Sequence, residues 1–345
     1  MNRKWFLNFM TLMLMLGLTL AACAPQATAT PETVVATSIA TEPPPTEVPT
    51  AEPSPTSPPA PTDQAAPEPI VLVDGLDRTV TLQSPAQRIV AMAPSLTESL
   101  FAIGAGDQVV ARDEFSNYPP EAADLPAIGG VFSDFNYEAI VDLEPDLILA
   151  SGLNTAEQVQ TMEDLGLTVF LVEDPATLEE MYTSLEVLAE LTGHQESTAD
   201  LLANLKARVA AVEEKIATVE ERPLVFYELD STDPSAPYTA GSGTFIDTLI
   251  EMAGGENVAV DLEGQYPQIS IEELLVRDPD IILLGDAAYG ATPEAVAERP
   301  GWDALSAIQN DQIYPVNDDP VSRPGPRLVD GLEELAQLIH PEAFQ

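Results

Sequence analysis

The sequence predicts an α/β protein of two similar lobes, each built on a parallel sheet, joined by one long rigid helix. Three observations predict it. First, N-Y-E-A-I-V-D-L-E-P-D-L-I-L at 136–149 returns as S-I-E-E-L-L-V-R-D-P-D-I-I-L at 270–283. Each copy opens on a capping residue (Asn136, Ser270), carries a glutamate two places on (Glu138, Glu272), and runs through Pro-Asp into an apolar strand. A weaker echo precedes each copy, S-L-T-E-S-L-F-A-I-G-A-G-D-Q-V-V from Ser95 and G-T-F-I-D-T-L-I-E-M-A-G-G-E-N-V from Gly243. Second, apolar runs of strand length alternate with helical patterns, as in a parallel sheet covered by helices. Third, Leu201, Leu202, Leu205, Val209, Val212, Ile216 and Val219 keep near-helical spacing through 197–221. A helix of that length spans roughly 37 Å, about the width of a small domain.

The chain of 345 residues is long enough for about two domains. Its start is not part of the fold. Arg3 and Lys4, an apolar run at 7–20 and L-A-A-C at 20–23 make residues 1–22 a secretory signal ending at a lipoprotein box. Cys23 is then the acylated N-terminus of an extracytoplasmic, membrane-anchored protein. As the only cysteine it allows no intrachain disulfide and no thiol pair for a metal. Residues 23–69 are dominated by Pro, Thr, Ala and Glu, too poor in apolar side chains to offset ordering entropy. They read as a disordered tether, reaching on the order of 140 Å as polyproline and roughly 40 Å as a flexible coil.

The N-terminal lobe is expected over 70–196. It begins with a short hairpin over 70–80, turning at Asp74-Gly75. A buried strand at 88–94 follows, stopped by Pro94. Ser95 with Glu98 three residues later forms a capping box for the next helix, which ends at Gly104 and Gly106. Then come a strand at 109–111, a helix at 137–143, a strand at 147–150, a helix at 155–165, a strand at 168–172 and a helix at 178–192. The connecting helix occupies 197–222, with Pro223 as its stop. The C-terminal lobe, 223–345, repeats the alternation: strand 224–229, helices 245–252 and 271–276, strand 281–285, helix 302–309, strand 313–316 and a closing helix at 328–339.

Charge and motif exclude several classes. With 57 acidic and 13 basic side chains the formal net charge is −44, which repels nucleic acid and anionic lipid surfaces. The only histidines, His194 and His340, are far apart in the chain, so a histidine-rich zinc site is not expected. No nucleophile elbow, P-loop or dinucleotide fingerprint appears, and G-A-G-D at 104–107 ends a helix instead of opening one. No enzyme activity and no metal or cofactor is expected.

The order of lipobox, Pro/Thr tether, lobe, single long helix, lobe resembles the substrate-binding lipoproteins of ABC importers for iron chelates, haem and cobalamin. R-I-V-A-M-A-P-S-L-T-E, F-S-N-Y-P-P-E-A, E-P-D-L-I-L-A and S-R-P-G-P-R-L-V-D-G-L are most similar to its cobalamin-binding branch, and the resemblance covers residue 70 to the C-terminus. It implies two Rossmann-like lobes and a solute captured between them, cobalamin by the closest resemblance, with a ferric siderophore or haem as the alternative. It also implies that Glu138 and Glu272, one on each lobe, dock onto arginines of the importer's membrane subunits. Their local alternative is helix stabilisation, since a first-turn carboxylate complements the helix dipole. From other classes, the rivals are a ligand-sensing ectodomain and a secreted enzyme working with cleft carboxylates.

Open α/β sheets bind ligands at the carboxyl ends of their strands. The loops expected there carry Phe115, Tyr118, Phe132, Phe135, Tyr238, Tyr266 and Tyr289. Flat side chains with polar tips suit a large planar or macrocyclic ligand. Tyr118, Phe132, Phe135, Tyr238 and Tyr266 are the aromatic ligand candidates; by the resemblance, Tyr118 and Tyr266 match cleft-lining positions, while some tryptophans of the cobalamin-binding members have no counterpart. Trp302 is expected in the core. Arg323 and Arg327 complete the candidate site. Pro326 places Arg327 in a helical first turn, where the dipole disfavours a cation, so a partner is required. That partner is either an internal carboxylate or an anionic group of the ligand.

Overall fold

A computed structural model describes residues 68–131 and 133–345. The signal, Cys23, the tether as far as residue 67 and Phe132 lie outside the described residues. β1 (Ile70–Val73) and β2 (Thr79–Leu82) form the expected antiparallel hairpin. Its turn is held by Asp74, whose Oδ1 accepts the amides of Leu76 and Arg78, each at 3.0 Å.

The first lobe then runs β3 (Ile89–Ala91), α1 (Pro94–Ala102), β4 (Val109–Arg112), α2 (Tyr137–Asp142), β5 (Leu147–Ala150), α3 (Ala156–Asp164), β6 (Val169–Leu171) and α4 (Leu178–Thr192). All its strands are parallel, in the order β4-β3-β5-β6. Gly193, at φ 81°, ends α4 in the left-handed region that glycine adopts freely. α5 (Gln195–Ile216) follows almost at once. The second lobe runs β7 (Leu224–Glu228), α6 (Phe245–Met252), β8 (Glu256–Asn257), α7 (Ile271–Arg277), β9 (Ile281–Leu284), α8 (Pro293–Ala297), α9 (Ser306–Gln309), β10 (Ile313–Pro315), α10 (Asp319–Ser322) and α11 (Leu328–Ile339). Its parallel sheet has the order β10-β9-β7-β8. In both lobes the first strand pairs with the second on one side and the third on the other, so the repeat in the sequence is a repeat in topology. Its two copies are α2–β5 and α7–β9. Asn136 Oδ1 caps α2 by accepting the amide of Ala139, and Ser270 Oγ caps α7 by accepting that of Glu273.

Alternate residues of each strand enter different cores, because side chains point to opposite faces along a strand. Ile89, Ala91, Leu147 and Leu149 of the first sheet share one continuous cluster with Val225, Tyr227, Ile281 and Leu283 of the second. α5 runs through that cluster with Leu202, Leu205, Val209 and Val212 buried. The outer faces are covered separately, Val90 and Ile148 in one lobe and Phe226, Ile282 and Leu284 in the other. At about 1.5–3 kcal/mol for each fully buried aliphatic side chain, the shared cluster opposes any large opening of one lobe from the other.

Four local expectations are corrected. The capping box at Ser95 does not form: Pro94 takes the first helical turn and Ala93 the cap, which leaves Ser95 and Glu98 buried within α1. The helix expected over 302–309 is a 3₁₀ turn at Trp302–Ala304 followed by the short α9. The connecting helix ends at Ile216, ahead of Pro223. α11 starts at Leu328, so Arg327 is its cap residue and lies outside the first turn. Trp302 is 1% exposed, in the core as expected.

Candidate ligand-binding cleft

The strand order changes direction between β3 and β5 in one lobe and between β7 and β9 in the other. Open α/β sheets bind ligands at such a switch point, outside the carboxyl ends of the strands. In the second lobe that place holds a cavity of about 500 Å³, lined by residues 229–232 after β7, by Asp286, Tyr289, Gly290 and Ala291 after β9, and by Ala295 and Arg299. Arg299 closes its back wall. It makes a two-point pair with the fully buried Glu228, one arm at 2.9 Å, and donates to Ser231 Oγ. Ser231 in turn donates through Oγ and its amide to Asp286 Oδ2. The same guanidinium stacks over Trp302 at 4.6 Å. Burial pushes the Glu228 carboxyl above its ordinary value, against the pull of Arg299.

The first lobe presents a second polar network, built from α1 and the loop that follows β4. Ser116, buried, bonds Thr97 Oγ1 at 2.9 Å and donates to Asp113. Glu98 sits beside it on the inner face of α1, 2% exposed. Across from it come the two arginines of the second lobe. Arg323 donates to Glu98 Oε1 at 2.8 Å, and Arg327 to the same oxygen at 3.1 Å. Arg323 reaches Asn117 Oδ1 at 2.8 Å and Asp319 at 2.7 Å. The Arg327 guanidinium lies 4.0 Å above the ring of Tyr118, a cation–π contact between the lobes. The required partner for the arginines is therefore an internal carboxylate.

Three of the candidate aromatics are open. Tyr118 is 42%, Tyr238 43% and Tyr266 55% exposed. Tyr238 is fixed by backbone bridges to Asp230 and Gln268. Partial burial, then the carboxylates of Asp318 and Asp174, push the Tyr266 phenol up. Asp174 belongs to the first lobe, so Tyr266 faces across the cleft. Phe135 differs: it is buried among Val90, Met92 and Ile140 and supports its loop from beneath. Glu138 and Glu272 are both exposed on the first turns of their helices. Sequence reading took Glu98 only as half of a capping box, and it missed Glu228 and Arg299. An acid embedded in S-L-T-E-S-L and an arginine in a chain with few of them were the available signals. Among the described residues no cluster of histidine, cysteine and acidic side chains can hold a metal ion, and no helix is long and apolar enough to cross a membrane.

Comparison with known proteins agrees with this geometry. The periplasmic binding protein family matches residues 89–320. The chain belongs to that family. It is 33% identical over 282 residues to an uncharacterized ABC transporter substrate-binding lipoprotein, YvrC, of Bacillus subtilis, covering 80% of this chain and 87% of that one. The crystal structure of the periplasmic vitamin B12 binding protein BtuF of Vibrio cholerae superposes with a TM-score of 0.64 at 30% identity, covering 76% of this chain and 99% of the other. The periplasmic heme-binding protein RhuT of Roseiflexus sp. RS-1, in apo form, superposes with a TM-score of 0.67 at 27% identity, covering 75% and 99%. The expected two-lobed fold is thus shown. The protein is an extracytoplasmic solute-binding protein, and the family's work is capture of a solute.

Proposed function

We propose that this protein binds a corrinoid of the cobalamin type in the cleft and delivers it to an ABC importer. The observation that carries the reading is the set of three exposed tyrosines, Tyr118, Tyr238 and Tyr266, on loops from both lobes, with Tyr118 stacked against Arg327, an arginine whose charge is already neutralised. Flat amphipathic rings supply contact area with few rotamers to freeze, which fits a large macrocycle. The likeness to the vitamin B12 binding protein of Vibrio cholerae supports the same cargo. Calorimetry with cyanocobalamin, hemin and a ferric hydroxamate should give a cobalamin Kd at or below about 1 μM. Silence from cobalamin with a clear hemin or hydroxamate isotherm would replace the cargo.

Glu138 and Glu272 are proposed as the importer contacts, and a lipid on Cys23 as the anchor. Both glutamates stand exposed at the same place in the repeated α2–β5 and α7–β9 units, which is what a two-legged contact with a paired membrane receptor requires. The double variant Glu138→Ala/Glu272→Ala should bind its solute within roughly twofold of wild type, because neither side chain is in the cleft. Its capture by importer-containing proteoliposomes should fall tenfold or more, a loss of about 1.4 kcal/mol. Undiminished capture removes the docking assignment.

A further inference from the structure

We propose that Glu98 is an internal counter-anion that latches the two lobes and sets the ligand charge the cleft accepts. This rests on the solute-binding reading and narrows it. One carboxylate oxygen, Oε1, takes both Arg323 and Arg327 from the opposite lobe. The other, Oε2, is buried with no hydrogen-bond partner. A carboxylate that leaves one oxygen unsatisfied is held there by its cations alone, since burying such an atom is costly. Arg323 is balanced further by Asp319, and Asp318 and Asp113 stand close enough to interact electrostatically with this group. Two cations therefore face at least as many anions. The floor of the cleft has no surplus positive charge to offer, although it presents two guanidiniums.

The consequence is selection by charge. A ligand with two or more carboxylates would meet acid groups and have to displace Glu98 to reach the arginines. A neutral or zwitterionic macrocycle can use the same floor as it stands: the Arg327–Tyr118 stack is a preformed flat platform, and spare guanidinium donors remain for one polar group of the ligand. Glu98 acts through the arginines, as a positioning residue, and need not touch the ligand.

Removing its charge should invert the preference. In Glu98→Gln the two arginines lose their shared anion while the amide keeps the shape of the side chain. Titration of hemin, a planar macrocycle with two carboxylates, should show affinity raised about tenfold at low salt, and most of the gain gone at ~0.5 M NaCl, since screening acts on surplus charge. Cyanocobalamin affinity should move less than roughly threefold, because no net charge is matched or lost on that ligand. A structural role alone would lower both affinities and would not produce a salt-sensitive gain. Unchanged or weaker hemin binding by a folded Glu98→Gln protein, judged by circular dichroism, overturns the proposal. Should that variant fail to fold, Glu98→Gln/Arg323→Met leaves a single unpaired arginine and should still gain roughly threefold for hemin at low salt; no gain has the same overturning weight. If cyanocobalamin binds neither form, the cargo reading falls, while the hemin comparison still decides the part played by Glu98.

Discussion

At the scale of single residues, two buried carboxylates organise the site, and each is tied to arginine. Glu228 is fully buried beneath the second-lobe cavity, and Arg299 is its only cationic partner among the described residues. Truncating one partner of such a pair strands a charge in a medium that solvates it poorly. Arg299→Ala is therefore expected to cost about 3–5 kcal/mol in urea unfolding, whereas Glu228→Gln, which removes the charge and keeps the shape, should cost less. Equal losses would mean that packing of Arg299 on Trp302 outweighs the ion pair. The Glu98 group follows the same logic across the lobes. Phe135 marks the opposite case: a loop aromatic that serves the core, buried where Phe115, Tyr118, Tyr238 and Tyr266 stay open.

At the scale of elements, the caps of α2 and α7 carry a measurable load, because these helices have only six and seven residues and little else to start them. Asn136→Ala and Ser270→Ala should each cost about 1 kcal/mol, seen as a fall of a few degrees in Tm. The cap read from Asn136 and Ser270 was legible because each is followed by an apolar period and a Pro-Asp stop. The same local logic failed at Ser95, where S-x-x-E satisfies a capping pattern but Pro94 starts the helix a residue early. α4 and α11 were legible to the residue, whereas the longest helix, α5, was not, because the apolar spacing of its stripe runs on past Ile216 to Val219. β8, α8 and α10 were not, being too short to show any period. The site divides likewise. Local chemistry singled out Arg323 and Arg327 as cations in need of a partner, but the partner lies more than two hundred residues away, and no spacing in the sequence announces a contact of that range.

At the scale of the whole molecule, acid dominates, and it sets how stability depends on pH and salt. Of the 13 basic side chains, Arg3 and Lys4 precede the fold, which leaves the folded part with far more carboxylates than cations. Self-repulsion of like charges destabilises a compact state. The buried acids add to this in the same direction. Burial pushes Glu98, Asp113, Glu228 and Asp318 above their ordinary values, in each case against the pull of hydrogen bonds or arginines. A carboxyl with a raised folded-state pKa binds its proton more tightly in the native chain than in the unfolded one. Its contribution is fully present below the unfolded value, about 4, and is lost as pH rises through the folded value. Asp74 opposes them: burial alone raises it, but Arg78 and three backbone amides bring it below its ordinary value. Its contribution is present above the unfolded value and lost as pH falls through the folded one. Stability should therefore climb as pH drops from about 8 towards 5, then fall in stronger acid as Asp74 and its like take protons. Thermal melts at low salt should show Tm rising over that span. In ~1 M NaCl the whole curve should lie higher and slope less, since salt screens the exposed repulsion and leaves the burial contribution in place. A Tm that is flat or falling between pH 8 and 5 at low salt would show that neither the surface charge nor the buried carboxyls govern the stability of this fold.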